Sequence, residues 1–162
     1  MTRVITFVFA VLFLVWGCGK ESDLPPEPEI EFVSFEIREV DETNHGFLTI
    51  SFRDGDGDIG LDPLDTFPPH DPGNKYYNNL FLDLYYKING EWVPWEPAEP
   101  GLDYHTRIAD ITPEGRNKAL EGEIEYNLGY FEVIEGDTMM FEIYLVDREL
   151  NYSNIVQSDE IY

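Results

Sequence analysis

Apolar and polar residues alternate along much of this chain, with a period of two rather than the 3.6 of a helix. The strongest example is LFLDLYYKI at positions 80–88. Such alternation places the apolar side chains on one face of a β-strand. No stretch after position 30 shows helical periodicity of useful length. The same pattern predicts strands near positions 33–37, 48–52, 124–128 and 141–145, and a less regular one at 155–161.

Asn89 and Gly90 lie between two of these runs, and this pair is the preferred sequence of a two-residue type I′ hairpin turn. A turn of that length places Val93 on the buried face and Trp92 on the outer face. The strand pairing that it predicts joins Ile88 to Glu91, Lys87 to Trp92 and Tyr86 to Val93.

Seven or eight short strands in about 130 residues predict an all-β antiparallel sandwich. The closing segment, FEIYLVD at 141–147 followed by NYSN at 151–154, resembles the last two strands of bacterial immunoglobulin-like or fibronectin-type domains. The resemblance implies a single antiparallel immunoglobulin-like β-sandwich over residues 30–162. Antibody features are not implied, because the cysteines and tryptophan of antibody domains have no counterpart.

The first 17 residues have the organisation of an export signal. Arg3 precedes 13 mostly apolar residues at positions 4–16, and these end at Gly17. A membrane-spanning helix needs roughly 20 such residues, so the run is too short to span. A basic start, a short apolar middle and a small residue at the end predict a signal peptide that is removed from the mature protein.

Cys18 follows directly and is the only cysteine of the chain, which excludes an intrachain disulfide. The sequence LVWGC at 14–18 resembles the lipobox of bacterial lipoproteins, with Trp16 as a departure from its usual small residue. The resemblance implies that Cys18 becomes the acylated first residue of the mature protein. Two or more acyl chains give stable membrane anchoring. The alternative is an ordinary cysteine after a secretory signal.

Residues 18–29 are rich in proline and acid and are expected to form an extended linker. The segment KESD at 20–23 resembles the acidic surface-export signal of Bacteroidetes lipoproteins. The alternative is an acidic linker whose sequence has no export function. The resemblance implies an outer-membrane protein displayed on the cell surface.

Removal of residues 1–17 leaves nine basic and 33 acidic residues, a formal net charge of −24. This charge repels phosphate backbones, so a nucleic-acid partner is not expected. It also opposes adsorption to anionic lipid unless divalent cations bridge the two.

The sequence DGDGDIGLDPLD at 54–65 contains the one constellation with recognisable chemistry. Aspartates at positions 54, 56 and 58 alternate with glycines, and two more aspartates follow at positions 62 and 65. Calcium takes six to eight hard oxygen ligands, which a tight loop of this kind supplies. The pattern resembles the calcium loops of EF-hands, dockerins and thrombospondin-type repeats. We expect a weak calcium site whose candidate ligands are Asp54, Asp56, Asp58, Asp62 and Asp65.

The loop departs from an EF-hand, because Ile59 occupies the turning-glycine position, Gly60 comes one place late and no helix flanks the loop. Asp147 or Asn151 could approach from the closing turn. The alternative interpretation is a solvated acidic turn that holds no ion.

Tyr85 and Trp92 are expected on the outer sheet face, where they form a candidate binding surface for a glycan or protein. No GxSxG, Walker or HExxH motif is present in the sequence, and catalysis is not expected. The sequence favours a lipid-anchored binding or structural module of the cell envelope with an unknown partner. The alternatives are an accessory subunit of an outer-membrane or uptake complex and, last, a small metal-dependent hydrolase.

Overall fold

A computed structural model describes residues 24–98, 102–115 and 118–162. The export signal, the lipidation site predicted at Cys18 and the linker up to residue 23 lie outside these ranges. Within them, the chain has no helix with the length and hydropathy that a membrane crossing requires.

The described chain is all-β, as the alternating pattern predicts. A single 3-10 turn at Lys75–Tyr77 is its only helical element within the described ranges. The strands, numbered in chain order, are β1 (Glu29–Val40), β2 (Thr43–Asp54), β3 (Leu80–Ile88), β4 (Glu91–Pro94), β5 (Leu120–Tyr130), β6 (Met139–Leu145) and β7 (Val156–Gln157).

The seven strands form two antiparallel sheets that pack as a sandwich. The first sheet has the order β1-β2-β5 and the second β4-β3-β6-β7. The chain crosses between the sheets after β2, β4 and β5, as in Greek-key immunoglobulin-like sandwiches. Asn154, between β6 and β7, also holds the start of β1. Its amide accepts from Ile30 N at 2.8 Å and donates to Ile30 O at 2.9 Å.

The core lies between the two sheets and is built from the alternating apolar positions. Burying these side chains supplies the main favourable free energy of folding, at about 25 cal/mol per Å² of apolar surface. The most deeply buried members from β1, β2, β3 and β6 are Ile30, Leu48, Ile50, Leu80, Leu82, Met139, Phe141, Ile143 and Leu145.

β1 departs from its predicted pattern. The alternation of Val33 with its neighbours predicts an inward Val33, but this side chain is exposed. A β-bulge between Phe32 and Ser34 inserts one unpaired residue and reverses which positions face the core. Ile30 and Phe32 therefore pack inward before the bulge, and Phe35 does so after it.

The β3–β4 hairpin confirms the predicted turn and register. Asn89 and Gly90 have φ values of 54° and 88°, and Lys87 pairs with Trp92 as expected. The prediction of a buried Val93 is wrong, because this side chain is exposed. β4 is a four-residue strand at the sheet edge, so the facing sheet does not cover it.

One end of the sandwich, which we call the loop end, carries the last residues of β2 and β6 and the connection between β2 and β3. Residues 55–79 run there without a regular strand, as the sequence predicts. β1, β3 and β5 begin at this end, because each is antiparallel to β2 or β6. The opposite end, which we call the turn end, carries the β1–β2 and β3–β4 turns and the β5–β6 connection.

Candidate metal centre

The strand pattern of β2 carries a carboxylate into the interior. Ile50, Phe52 and Asp54 occupy alternate positions and therefore share the core-facing side of the strand. Asp54 is the last residue of β2, and its relative exposure is 0%. A buried carboxylate is costly unless hydrogen bonds or a cation compensate it.

Asp56 and Asp58 bring two more carboxylates to the same point. One oxygen from each of the three aspartates lies within 4.8 Å of the others. Among the described residues, no hydrogen-bond donor reaches either oxygen of Asp54, or Oδ1 of Asp56 or Asp58. Buried polar atoms in proteins are almost always satisfied, so these four oxygens are open to a partner such as a water, a proton or a cation.

The electrostatics of the cluster are those of a site without a counter-charge. Burial, followed by the interactions with Asp56, Asp58 and Asp147, raises the pKa of Asp54 to about 7. Burial, followed by the charges of Asp147 and Asp56, raises the pKa of Asp58 to about 6. The carboxylates of Asp54 and Asp58 are thus held where their charged forms are disfavoured.

The closing turn after β6 places a further acid, Asp147, near the cluster but outside its metal-competent group of three, and fixes the loop. Burial raises the pKa of Asp147, although its carboxylate accepts hydrogen bonds from the backbone and side chain of Asn151 at 2.8 and 2.9 Å. The backbone N–H of Glu149 donates to Oδ2 of Asp58 at 3.1 Å. The predicted approach of Asp147 to the Asp-rich loop is therefore present, with Asn151 positioning Asp147.

Two glycines let the loop lie against the backbone of other segments. A Cβ added at Gly55 would overlap the carbonyl oxygens of Leu24 and Pro25, and Gly55 N donates to Pro25 O at 2.9 Å. Gly57 has a φ of 64°, and a Cβ there would overlap the carbonyl of Lys118. The loop is therefore a junction that joins the N-terminal segment to the stretch before β5.

Asp62 and Asp65 are not brought to the cluster. Oδ2 of Asp65 accepts from Asp62 N at 2.8 Å, and Oδ1 of Asp62 accepts from Leu64 N at 2.7 Å. Arg107 holds this turn by donating to the backbone oxygens of Asp62 and Asp65 at 2.8 and 3.0 Å. Their carboxylates cap a local turn, a common use of aspartate.

Arg148 lies beside the cluster, and the sequence patterns give no sign of its role. Its guanidinium donates to Gly60 O at 3.0 Å and to Asp110 at 2.8 Å. Hydrogen bonds from Thr112, and then Arg148, lower the pKa of Asp110 to about 2. Arg148 therefore neutralises Asp110 rather than the orphaned oxygens of the Asp-rich loop.

Tyr85 and Trp92 lie on the outer face of the second sheet, both half-buried. The Tyr85 hydroxyl donates to Glu142 at 3.0 Å. Lys87 Nζ lies 5.1 Å from the centroid of the Trp92 ring and pairs with Glu160. Both rings thus have side-chain partners within the domain, and Lys87 covers part of the Trp92 face.

The donor set of the cluster consists of hard carboxylate oxygens and suits calcium or magnesium better than zinc, which prefers nitrogen and sulfur. No histidine or cysteine belongs to the metal-competent group in the described residues. No protein-family model, curated protein or solved structure matches this chain.

Proposed function

We propose that this chain is a lipid-anchored protein of the cell envelope whose β-sandwich binds calcium through Asp54, Asp56 and Asp58. The observation that carries the metal proposal is the fully buried carboxylate of Asp54, which has two orphaned oxygens and faces two further carboxylates. A divalent cation there supplies the missing counter-charge, and water and backbone oxygens complete its coordination.

Calcium fits better than magnesium because its coordination is more tolerant. Magnesium demands near-ideal octahedral geometry, whereas calcium accepts six to eight oxygens in a flexible arrangement. The loop supplies its carboxylates from one short glycine-rich segment. We expect affinity in the weak range of extracellular modules, with Kd about 10⁻⁴–10⁻³ M.

The role of the ion is structural in this proposal. The loop contacts the N-terminal segment at Pro25, the stretch at Lys118 and the closing turn at Glu149. An ion at Asp54 therefore fastens several parts of one end of the sandwich. This supports a binding or structural module, with a protein or glycan partner, over an enzyme.

The anchoring part of the proposal rests on the sequence. The short apolar run at 4–16 and the single Cys18 that follows it favour export and lipidation. The acidic segment at 20–23 favours display on the outer membrane.

The test is a thermal melt of residues 24–162 in 1 mM calcium and in chelator. A ligand that binds only the folded state stabilises it by RT ln(1 + [L]/Kd). A Kd of about 0.1 mM would give about 1.4 kcal/mol, or a rise of roughly 3–6 °C for a domain of this size. Asp56→Asn with Asp58→Asn should abolish the rise.

The matched control is Asp62→Asn with Asp65→Asn, which removes the same charge from the same loop. Because these carboxylates accept local amides, the control should retain the calcium-dependent rise. Absence of a rise in the unsubstituted protein at millimolar calcium would refute the metal site.

A further inference from the structure

Two large apolar side chains project from the connection between β2 and β3. Leu64 is 81% exposed and Phe67 is 77% exposed, at positions only three residues apart. Pro63 and Pro68 lie next to them and are exposed as well. We call residues 63–68 the apolar tip. Such a group on one loop favours contact with an apolar environment outside the domain.

The apolar tip belongs to the same end of the sandwich as the aspartate cluster. Arg107 binds the backbone of Asp62 and Asp65 on either side of Leu64. Arg148 Nε lies 3.9 Å from Asp65, and Arg148 N donates to Asp58 O at 3.3 Å. The tip is therefore fixed to the loop end.

The N-terminal segment reaches the domain at this end too. Gly55 N donates to Pro25 O at 2.9 Å, and Pro28 is buried before β1 begins. Five residues lie between Cys18 and Leu24, so six residue steps join the two. At about 3.3–3.6 Å per residue, they span at most roughly 20 Å. An acyl anchor on Cys18 thus holds the loop end within about that distance of the bilayer.

This segment does not hold the turn end near the bilayer. β2 has twelve residues, which at about 3.3 Å each extend close to 40 Å. Ile134, in the β5–β6 connection at the turn end, is 64% exposed. The tether sets no limit on the distance of this side chain from the bilayer, so the anchor favours lipid contact at the loop end over the turn end.

We propose that the loop end seats on the bilayer that carries the anchor, with Leu64 and Phe67 entering the interface between headgroups and acyl chains. This inference rests on the proposed lipidation of Cys18. The occupant is lipid because the tether brings the bilayer to the apolar tip. A calcium ion at the aspartate cluster reduces the negative charge that otherwise opposes a close approach.

The experiment uses the full lipidated chain in phosphatidylcholine vesicles with 1 mM calcium. Phe67→Trp places a fluorophore on the apolar tip, and Ile134→Trp is the matched control at the turn end. Both positions are exposed, so neither substitution removes core packing. Quenching by lipids brominated on their acyl chains is measured after subtracting the signal of the unsubstituted chain.

We expect brominated lipid to quench the added fluorescence at position 67 at least about twofold more than at position 134. Equal quenching in a chain that floats with the vesicles overturns the seating alone. A chain that does not float overturns the anchor, and the seating with it. The calcium melt reports separately on the aspartate cluster.

Discussion

The two ends of the sandwich differ in what determines their conformation. At the turn end, tight hairpin turns are set by local backbone preferences, as at Asn89 and Gly90. At the loop end, segments far apart in sequence converge on the aspartate loop, and four carboxylate oxygens there have no donor among the residues that the structure describes. One end is specified locally, whereas the conformation of the other depends on tertiary contacts between distant segments.

The largest expected effect comes from substituting glycines at the two ends. Gly57 and Gly90 both have positive φ, but only Gly57 lies against another backbone. Gly90→Ala should cost about 1–2 kcal/mol for the left-handed conformation. Gly57→Ala adds overlap with the Lys118 carbonyl and should cost at least about 3 kcal/mol. Urea unfolding of both variants measures the difference, and equal losses would contradict it.

The second effect concerns how the stability of the folded protein depends on pH in the absence of metal. The folded-state pKa values of about 7 for Asp54 and about 6 for Asp58 lie above the ordinary 3.8. Between these values the folded protein binds more protons than the unfolded chain, so its stability should rise as the pH falls from 8 to 5. We expect a gain on the order of 2 kcal/mol from the two groups, measured by chelator melts.

The control for this pH effect is Asp54→Asn with Asp58→Asn, which should lose most of the gain. If the control gains the same stability, the effect comes from the many acidic groups on the surface and not from Asp54 and Asp58. In saturating calcium the trend of the unsubstituted protein should reverse, because protons compete with the ion for the carboxylates.

The smallest effect lies in the β1–β2 turn at the turn end. Asp41 and Glu42 have φ values of 48° and 64°, where glycine carries little steric strain. Glu42→Gly should therefore stabilise the protein by about 0.5–1 kcal/mol, as seen by its urea midpoint. A destabilised variant would show that the Glu42 side chain makes stabilising interactions that outweigh the strain of its positive φ.

The sequence predicts this molecule best where structure is local. The Asn-Gly turn determines the β3–β4 register, and the alternation in β2 and β3 identifies the buried side of each strand. The pattern fails at β1, where a bulge near Val33 changes the inward positions without a local signal. It also fails at Val93, because burial depends on the extent of the facing sheet.

The same distinction between local and distant determinants applies to the candidate metal centre. The spacing of Asp54, Asp56 and Asp58 is local, and the structure brings them together. The separate positions of Asp62 and Asp65 could not be predicted, because Arg107, which holds their turn, lies more than 40 residues along the chain. A spacing pattern counts carboxylates but does not show which of them cap a local turn that a distant side chain holds.

The docked N-terminal segment also has a mechanical consequence. Force transmitted through the segment first meets the Gly55–Pro25 hydrogen bond and then the start of β1, which Asn154 holds at Ile30. If a partner pulls on the turn end, the load runs along β1. Its ladder with β2, from Glu29 to Val40, is then sheared as a unit rather than opened one bond at a time. The same strand would peel readily under a sideways pull, so the domain resists extension best along its long axis.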